Sequence, residues 1–313
     1  MQQDLLEREP TKRIEGVVPI TGRTLAFQRY ITVVMTVVPL AAVVWAVIAL
    51  WGSGIKPTDF WIMVSFYLFT GIGVTVGLHR YFTHKSFKAV KPVRWLLGVA
   101  GSMAVQGELI AWVAAHRRHH AYADQEGDPH SPHLIEDGGA FLNLWHAHTG
   151  WLFVGEKTDK ERWAPDLVKD PMVARIDRMS PFYIVLSYVL PALIGFAATG
   201  TFRGLWTAFI WGSLVRIFVL HHVTWSINSI CHFYGRRPFE VDDESRNVWP
   251  LGWISLGESW HNNHHAFPSS AYLGLEWWQI DVGGYTIRAL KWLGLARDVR
   301  SPTAEQRKAK QLA

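Results

Sequence analysis

The sequence predicts an all-α integral membrane protein: four transmembrane helices in two hairpins, carrying a helical cytoplasmic cap. Three observations predict it. Hydrophobic residues make up 49% of the 313 and tryptophan occurs 17 times, unlike a soluble enzyme of this length. Four apolar stretches approach the roughly 20 residues a helix needs to cross hydrocarbon, and they pair off through short turns. Of 31 basic residues only Lys56 and Arg203 lie in those turns, so the positive-inside rule puts the cap and both termini on the cytoplasmic side.

Residues 1–29 are polar and lack the apolar run of a signal peptide, so they read as a cytoplasmic segment before an uncleaved first span. Hairpin 1, residues 30–78, joins Tyr30–Trp51, 22 residues without a charge, to Phe60–Leu78, 19 residues likewise, through a turn around Gly54 to Asp59. Residues 79–180 form the first part of the cap. Hairpin 2, residues 181–232, joins the uncharged stretch Pro181–Gly200, through Thr201 to Gly204, to a span starting near Leu205. Arg216, His221 and His222 interrupt that last span, and ionisable groups there must face protein or a cavity. Residues 233–313 complete the cap, with a polar tail, Ser301–Ala313, expected to fray. There is no internal repeat.

Trp95–Ala115 is also 21 residues long with only Glu108 charged. If it crossed, His79 and His84 would lie about 30 Å of bilayer away from His116 to His120. Lys85, Lys88, Lys91 and Arg94 before it, and Arg117 and Arg118 after it, put both ends on the same side. It reads as one buried or interfacial helix covering a site. The net charge of +5 suits an anionic leaflet or an acidic partner, and no nucleic-acid motif is present. The single cysteine, Cys231, excludes an intramolecular disulfide and reads as a small apolar residue rather than a ligand.

Nine of the 15 histidines fall into four clusters: His79 with His84; His116, His119 and His120; His232; and His261, His264 and His265. Neutral imidazole is a good ligand for transition metals, and nine exceed what one ion can hold, so the cap is expected to contain a two-metal site. Both H-x-x-H-H triplets place their rings on one helical face, each forming one wall of the site. His79 and His84, five apart, do not align on a regular helix, so His84 is expected past the end of the span that delivers His79. Asn228 and His232 are one turn apart and reach the same place. Glu258 and Asp128 are placed to accept the second N–H of ligand imidazoles. His130, His133, His146, His148, His221 and His222 read as non-ligands, with His221, about 16 Å from His232 along the helix, lining a polar stretch of a cavity.

The motifs HRYFTH at 79–84, HRRHH at 116–120, GDPH at 127–130, HTGW at 148–151, NSICHFYGRRPF at 228–239 and GESWHNNHHAFP at 257–268 cover most of the chain. In these the sequence resembles the integral-membrane acyl desaturases of the stearoyl-type Δ9 acyl-CoA group. That resemblance implies two iron ions held by the nine histidines, a metal-bound water on Asn228, and Gln106, Trp112 and Thr224 shaping the bend of an acyl tunnel. It also implies O₂ as co-substrate, a long-chain acyl thioester as substrate and electrons from a separate protein. The sequence departs from it at Gly107, Ala114 and Ala115, where the animal enzymes carry an asparagine, an arginine and an aspartate that contact coenzyme A. Acyl-carrier protein or a phospholipid therefore remain open as carriers, with Arg175, Arg178, Arg236 and Arg237 available for phosphates.

A C–H bond in the middle of a saturated acyl tail has no acidic proton and no leaving group, so acid–base or nucleophilic chemistry cannot remove two hydrogens from it. Metal-centred oxidation with O₂ can, and the double bond expected is cis, at Δ9. A membrane di-iron hydroxylase shares the histidine logic but leaves oxygen in the lipid. A divalent-metal transporter would place its histidines along the spans rather than at their ends.

Overall fold

The computed structural model describes residues 14–49, 54–135 and 137–312. Trp51, residues 1–13 of the N-terminal segment and Ala313 lie outside them. The polypeptide runs through α1 (Gly22–Ala49), α2 (Pro57–Thr83), α3 (Lys91–Ser102), α4 (Leu109–Tyr122), α5 (Gly139–His148) and α6 (Pro171–Arg178). It continues through α7 (Ser180–Thr199), α8 (Phe202–His232), α9 (His261–Ala266), α10 (Val282–Trp292) and α11 (Ala304–Lys310). Among the described residues α1, α2, α7 and α8 are the four helices long and apolar enough to cross a membrane. Two small antiparallel sheets tie the cap together, Val17–Pro19 with Glu156–Thr158 and Lys88–Ala89 with Ala296–Arg297.

Local chemistry sets the hairpins. Pro57 supplies a preset φ at the start of α2. The backbone reverses at Gly200, and the Thr201 hydroxyl caps α8 by accepting from the Gly204 amide at 3.0 Å. Between the hairpins the Thr207 hydroxyl donates to buried Asp59 at 3.1 Å. Backbones approach closely where α2 meets α3: a Cβ on Gly73 would stand 2.3 Å from the Ala100 carbonyl carbon and the Gly101 nitrogen.

Trp95–Ala115 does not form one helix. It is broken over 103–108, between α3 and α4, with Val105 at φ 61° and Gly107 at φ 99°. The ionisable side chains of α8 find their partners in surrounding protein. The Arg216 guanidinium, fully buried, donates to the carbonyls of Gly212 (3.1 Å), Ser187 (3.0 Å) and Met103 (3.5 Å) and to the Ser187 hydroxyl (2.8 Å). His221 does not line a cavity as expected; buried, it donates from Nε2 to the Ala104 carbonyl at 3.1 Å. His221 thus satisfies backbone left unpaired by the break, whereas Arg216 is held mainly by acceptors of α7 and of its own helix.

The tail also differs from expectation. A capping box between Thr303 and Gln306 starts α11, and the Leu312 amide donates to the Pro238 carbonyl at 2.9 Å, so the described tail, though exposed, is helical and tied down rather than frayed.

Candidate metal centre

The last part of α2, Gly73–Thr83, is π-helical, and His84 caps it. A π-helix closes bonds between residues five apart, and the His84 amide donates to the His79 carbonyl at 3.1 Å. A spacing that misaligns side chains on an α-helix therefore brings these rings to 4.9 Å between centroids. Helix α4 delivers His116, His119 and His120, the 3-10 end of α8 delivers His232, and α9 delivers His261, His264 and His265.

The nine rings meet in two groups. His79, His84, His116, His120 and His264 have ligand nitrogens within 4.8 Å of one another, and so do His119, His232, His261 and His265. Each triplet is thus divided between both groups rather than forming one wall. Within the groups Nε2 faces Nε2: His264 lies 2.9 Å from His79 and 2.9 Å from His120, and His261 lies 3.0 Å from His232 and 3.1 Å from His265. Adjacent ligands of one octahedral ion with bonds of about 2.1 Å stand about 3.0 Å apart. Among the described residues the buried Nε2 of His84 has no hydrogen-bond partner. Burial first, and then the neighbouring imidazoles, hold His84, His116, His120, His261, His264 and His265 well below the usual histidine range. Neutral rings with converging lone pairs fit two transition-metal ions.

Carboxylates stand behind the rings. Asp128 accepts from His119 Nδ1 at 3.0 Å, and Glu258 contacts His79 Nδ1, as the sequence suggests. Asp124 and Asp243, which sequence reasoning missed, accept from Nδ1 of His232 and His265 at 2.7 Å each. Burial pushes the Asp128 carboxyl up, but the adjacent His119 outweighs it and holds Asp128 below the usual range; Asp128 in turn outweighs burial at His119 and raises that ring's pKa. These contacts fix each ring's tautomer and orientation.

The arginines of the motifs act as clamps, also unforeseen. Arg80, fully buried, joins Glu258 (3.0 Å) to Asp281 (2.8 Å) and to the Ala271 carbonyl (3.0 Å). Arg117 grips Asp166 (2.6 Å) and the carbonyls of Phe82 (2.9 Å) and Trp163 (3.1 Å), locking α4 against the end of α2. Arg118 donates to the Gly127 carbonyl at 2.7 Å, bracing the loop that presents Asp128.

A mostly apolar cleft opens beside both groups, lined by Val74, Leu220, Ile227 and Leu256 among others, with Trp112, Thr224 and Asn228 in its wall. Gln106 stands behind it. Its amide donates to the Thr224 hydroxyl at 2.8 Å and accepts from Trp112 Nε1 at 3.2 Å, so three distant residues form one hydrogen-bonded string. Of the positions where carrier contacts are missing, Gly107 holds its left-handed φ in the helix break and Ala114 is fully buried. Arg237 is engaged by Glu244 and backbone carbonyls, whereas Arg175, Arg178 and Arg236 are exposed. Of the remaining histidines, His133 donates to the His232 carbonyl (2.7 Å), and His148 bonds His222 (3.0 Å) and Ser229 (3.0 Å). His130 packs on His119 and Asp128.

Four membrane-length helices with paired histidine groups beside an apolar cleft are the parts of a membrane metalloprotein with room for an apolar chain. The fatty acid desaturase family model matches residues 59–282. The hex-5-enoyl-[acyl-carrier protein] acetylenase of Moorena producens (strain JHB) is 41% identical over 282 residues, 88% of this protein and 88% of that one. Delta-9 acyl-lipid desaturase 2 of Arabidopsis thaliana is 40% identical over 248 residues, 79% and 76% of the two sequences. The sn-1 stearoyl-lipid 9-desaturase of Anabaena variabilis is 34% identical over 246, 78% and 84%. The protein belongs to the fatty acid desaturase family, and is an oxygen-dependent oxidoreductase of that kind.

Proposed function

We propose that the protein is a membrane di-iron desaturase that inserts a cis double bond, at Δ9, into a saturated acyl chain, with termini and active site on the cytoplasmic side. The observation that carries this reading is the pair of all-histidine groups beside an apolar cleft in a member of this family. Iron, when bound, supplies the oxidising chemistry that O₂ and two external electrons make possible, with two substrate hydrogens and two protons leaving as two waters. His79, His84, His116, His120 and His264 would hold one ion, and His119, His232, His261 and His265 the other, with a water on Asn228.

The protein's own residues position the reaction. Asp124, Asp128, Asp243 and Glu258 keep four ligand rings aimed inward. The Trp112–Gln106–Thr224 string fixes the cleft wall where an acyl tail would bend, and the apolar lining excludes water from the reacting carbons. An acyl thioester or acyl lipid is the substrate, and a separate electron-transfer protein the donor. Relatives of comparable identity are named for acyl-carrier-protein, acyl-lipid and acyl-CoA substrates. A second reading, further oxidation of an existing alkene, is favoured by the 41% identity to an acetylenase.

Expression in a host lacking desaturation, followed by mass spectrometry of its lipids, tests this, with His264→Ala as the control. New cis alkenes lost in the variant are expected. Oxygen-18 from labelled O₂ in the lipid would indicate a hydroxylase, an alkyne the acetylenase reading, and metal uptake into vesicles without lipid change a transporter.

A further inference from the structure

The turn between α8 and α9 is out of place in a soluble cap. Residues 249–256 contain no charge, and Trp249 is 73% exposed, Trp253 69% and Ile254 41%. Exposed aromatic clusters mark an interaction surface. The inner side of the same turn is engaged. Ile254, Ser255 and Leu256 line the acyl cleft, and the Tyr67 hydroxyl of α2 donates to the Ile254 carbonyl. Leu256 packs so closely on α2 that a Cβ on Gly71 would lie 2.7 Å from its Cδ1.

These contacts fix the depth of the turn. Tyr67 follows Pro57, where α2 begins after the hairpin turn, by ten residues, or about 15 Å along a helix axis. That is about half of a hydrocarbon core roughly 30 Å thick. Non-helical backbone reaches such depth only when protein or a cavity covers it and its polar groups are paired. Here α2 and the cleft cover the inner side. The amides of Leu251, Ser255, Leu256 and Gly257 donate to the carbonyls of Val248 (3.1 Å), Leu251 (2.8 Å), Trp253 (3.1 Å) and Gly252 (3.0 Å). Leu256 and Gly257, at φ 56° and 103°, turn the backbone back towards His261.

We propose that residues 249–256 form a re-entrant turn seated in the bilayer, with lipid hydrocarbon against Trp249, Trp253 and Ile254, and that this turn is the wall between lipid and the acyl cleft. The segment is then membrane, not cytoplasmic cap. The inference rests on the four spans and goes beyond the desaturase reading, since neither metals nor turnover enter it.

The test uses the wild-type protein in phosphatidylcholine bilayers, photolabelled with a lipid-phase adamantyl diazirine and mapped by peptide mass spectrometry. Labelling of 249–256 at the level of the exposed residues of α1 and α7, several-fold above α11, is expected. Labelling no greater than α11, with α1 and α7 labelled, would overturn the re-entrant turn and leave the membrane fold and desaturase reading intact. Absence of label from α1 and α7 as well would overturn both the turn and the spans. A water-soluble diazirine should give the reverse pattern, and strong labelling of Trp253 by it would also reject the proposal.

Discussion

Replacing Asp124 by asparagine tests whether carboxylates behind the rings hold the metal centre together. Asp124 Oδ2 accepts from His232 Nδ1 at 2.7 Å and from the Glu244 amide at 2.8 Å, while Oδ1 accepts from the Ser131 hydroxyl at 2.6 Å. Burial raises this carboxyl, but the hydrogen bond and charge of His232 outweigh it and hold Asp124 below the usual range, so it is ionised at neutral pH. Its φ of 59° suits asparagine, so the variant adds little backbone strain. The amide oxygen can still serve His232 and Glu244, and Ser131 can turn its hydroxyl to accept; what is lost is charge. Two charge-assisted bonds weakened by about 1 kcal/mol each amount to about 2 kcal/mol, or about 30-fold in metal affinity. Metal content measured by mass spectrometry across a chelator series should show one of the two ions released early, from the His119, His232, His261 and His265 group. A chelator midpoint within about twofold of wild type, well short of the 10–100-fold typical of such partners, would refute the argument.

His264→Ala should remove the ion of the five-histidine group and lower the metal-to-protein ratio by about one, while His148→Gln leaves it unchanged; equal ratios in both variants would contradict the assignment. Gly73→Ala forces a methyl to 2.3 Å from the backbone of α3, which cannot move aside, so the thermal midpoint in detergent should fall by an amount corresponding to about 1–3 kcal/mol. Burial raises Asp166, but Arg117 and Lys85 outweigh it and hold this carboxyl well below its ordinary range. Its contribution to stability is therefore present above the unfolded value of about 3.9 and fades as pH falls below it. Asp166→Asn should melt lower than wild type at pH 7, with the gap beginning to narrow below about pH 4 and closing only once the folded carboxyl itself is protonated; a constant gap would argue against the charge.

The spans and the nine histidines were legible because their signals are local: a run of apolar residues, or rings three and four apart. What the sequence could not show depends on tertiary placement. His116 and His119 lie one turn apart on α4 yet serve different groups, because the groups form between helices. Asp124 and Asp243 sit in loops with no periodic spacing to mark them, although Asp124 precedes the readable Asp128 by only four residues. Arg80, Arg117 and Arg118 read as topology signals, and their clamping appears only when Glu258, Asp166 and the Gly127 carbonyl arrive from elsewhere. The break at 103–108 had one readable sign, Gly107; Val105 at φ 61° is a strained position that no propensity would select.

Arg216 has a consequence for biogenesis. Entering lipid unaccompanied, a helix with a central arginine meets a cost of about 2.5–3.5 kcal/mol on translocon scales. The external acceptors that satisfy this guanidinium, on Ser187 and Met103, are both synthesised before it emerges. The ribosome thus delivers α8 last of the four spans, into a membrane where its docking groups already wait, and insertion of the second hairpin as a pair follows from the order in which the polypeptide is made.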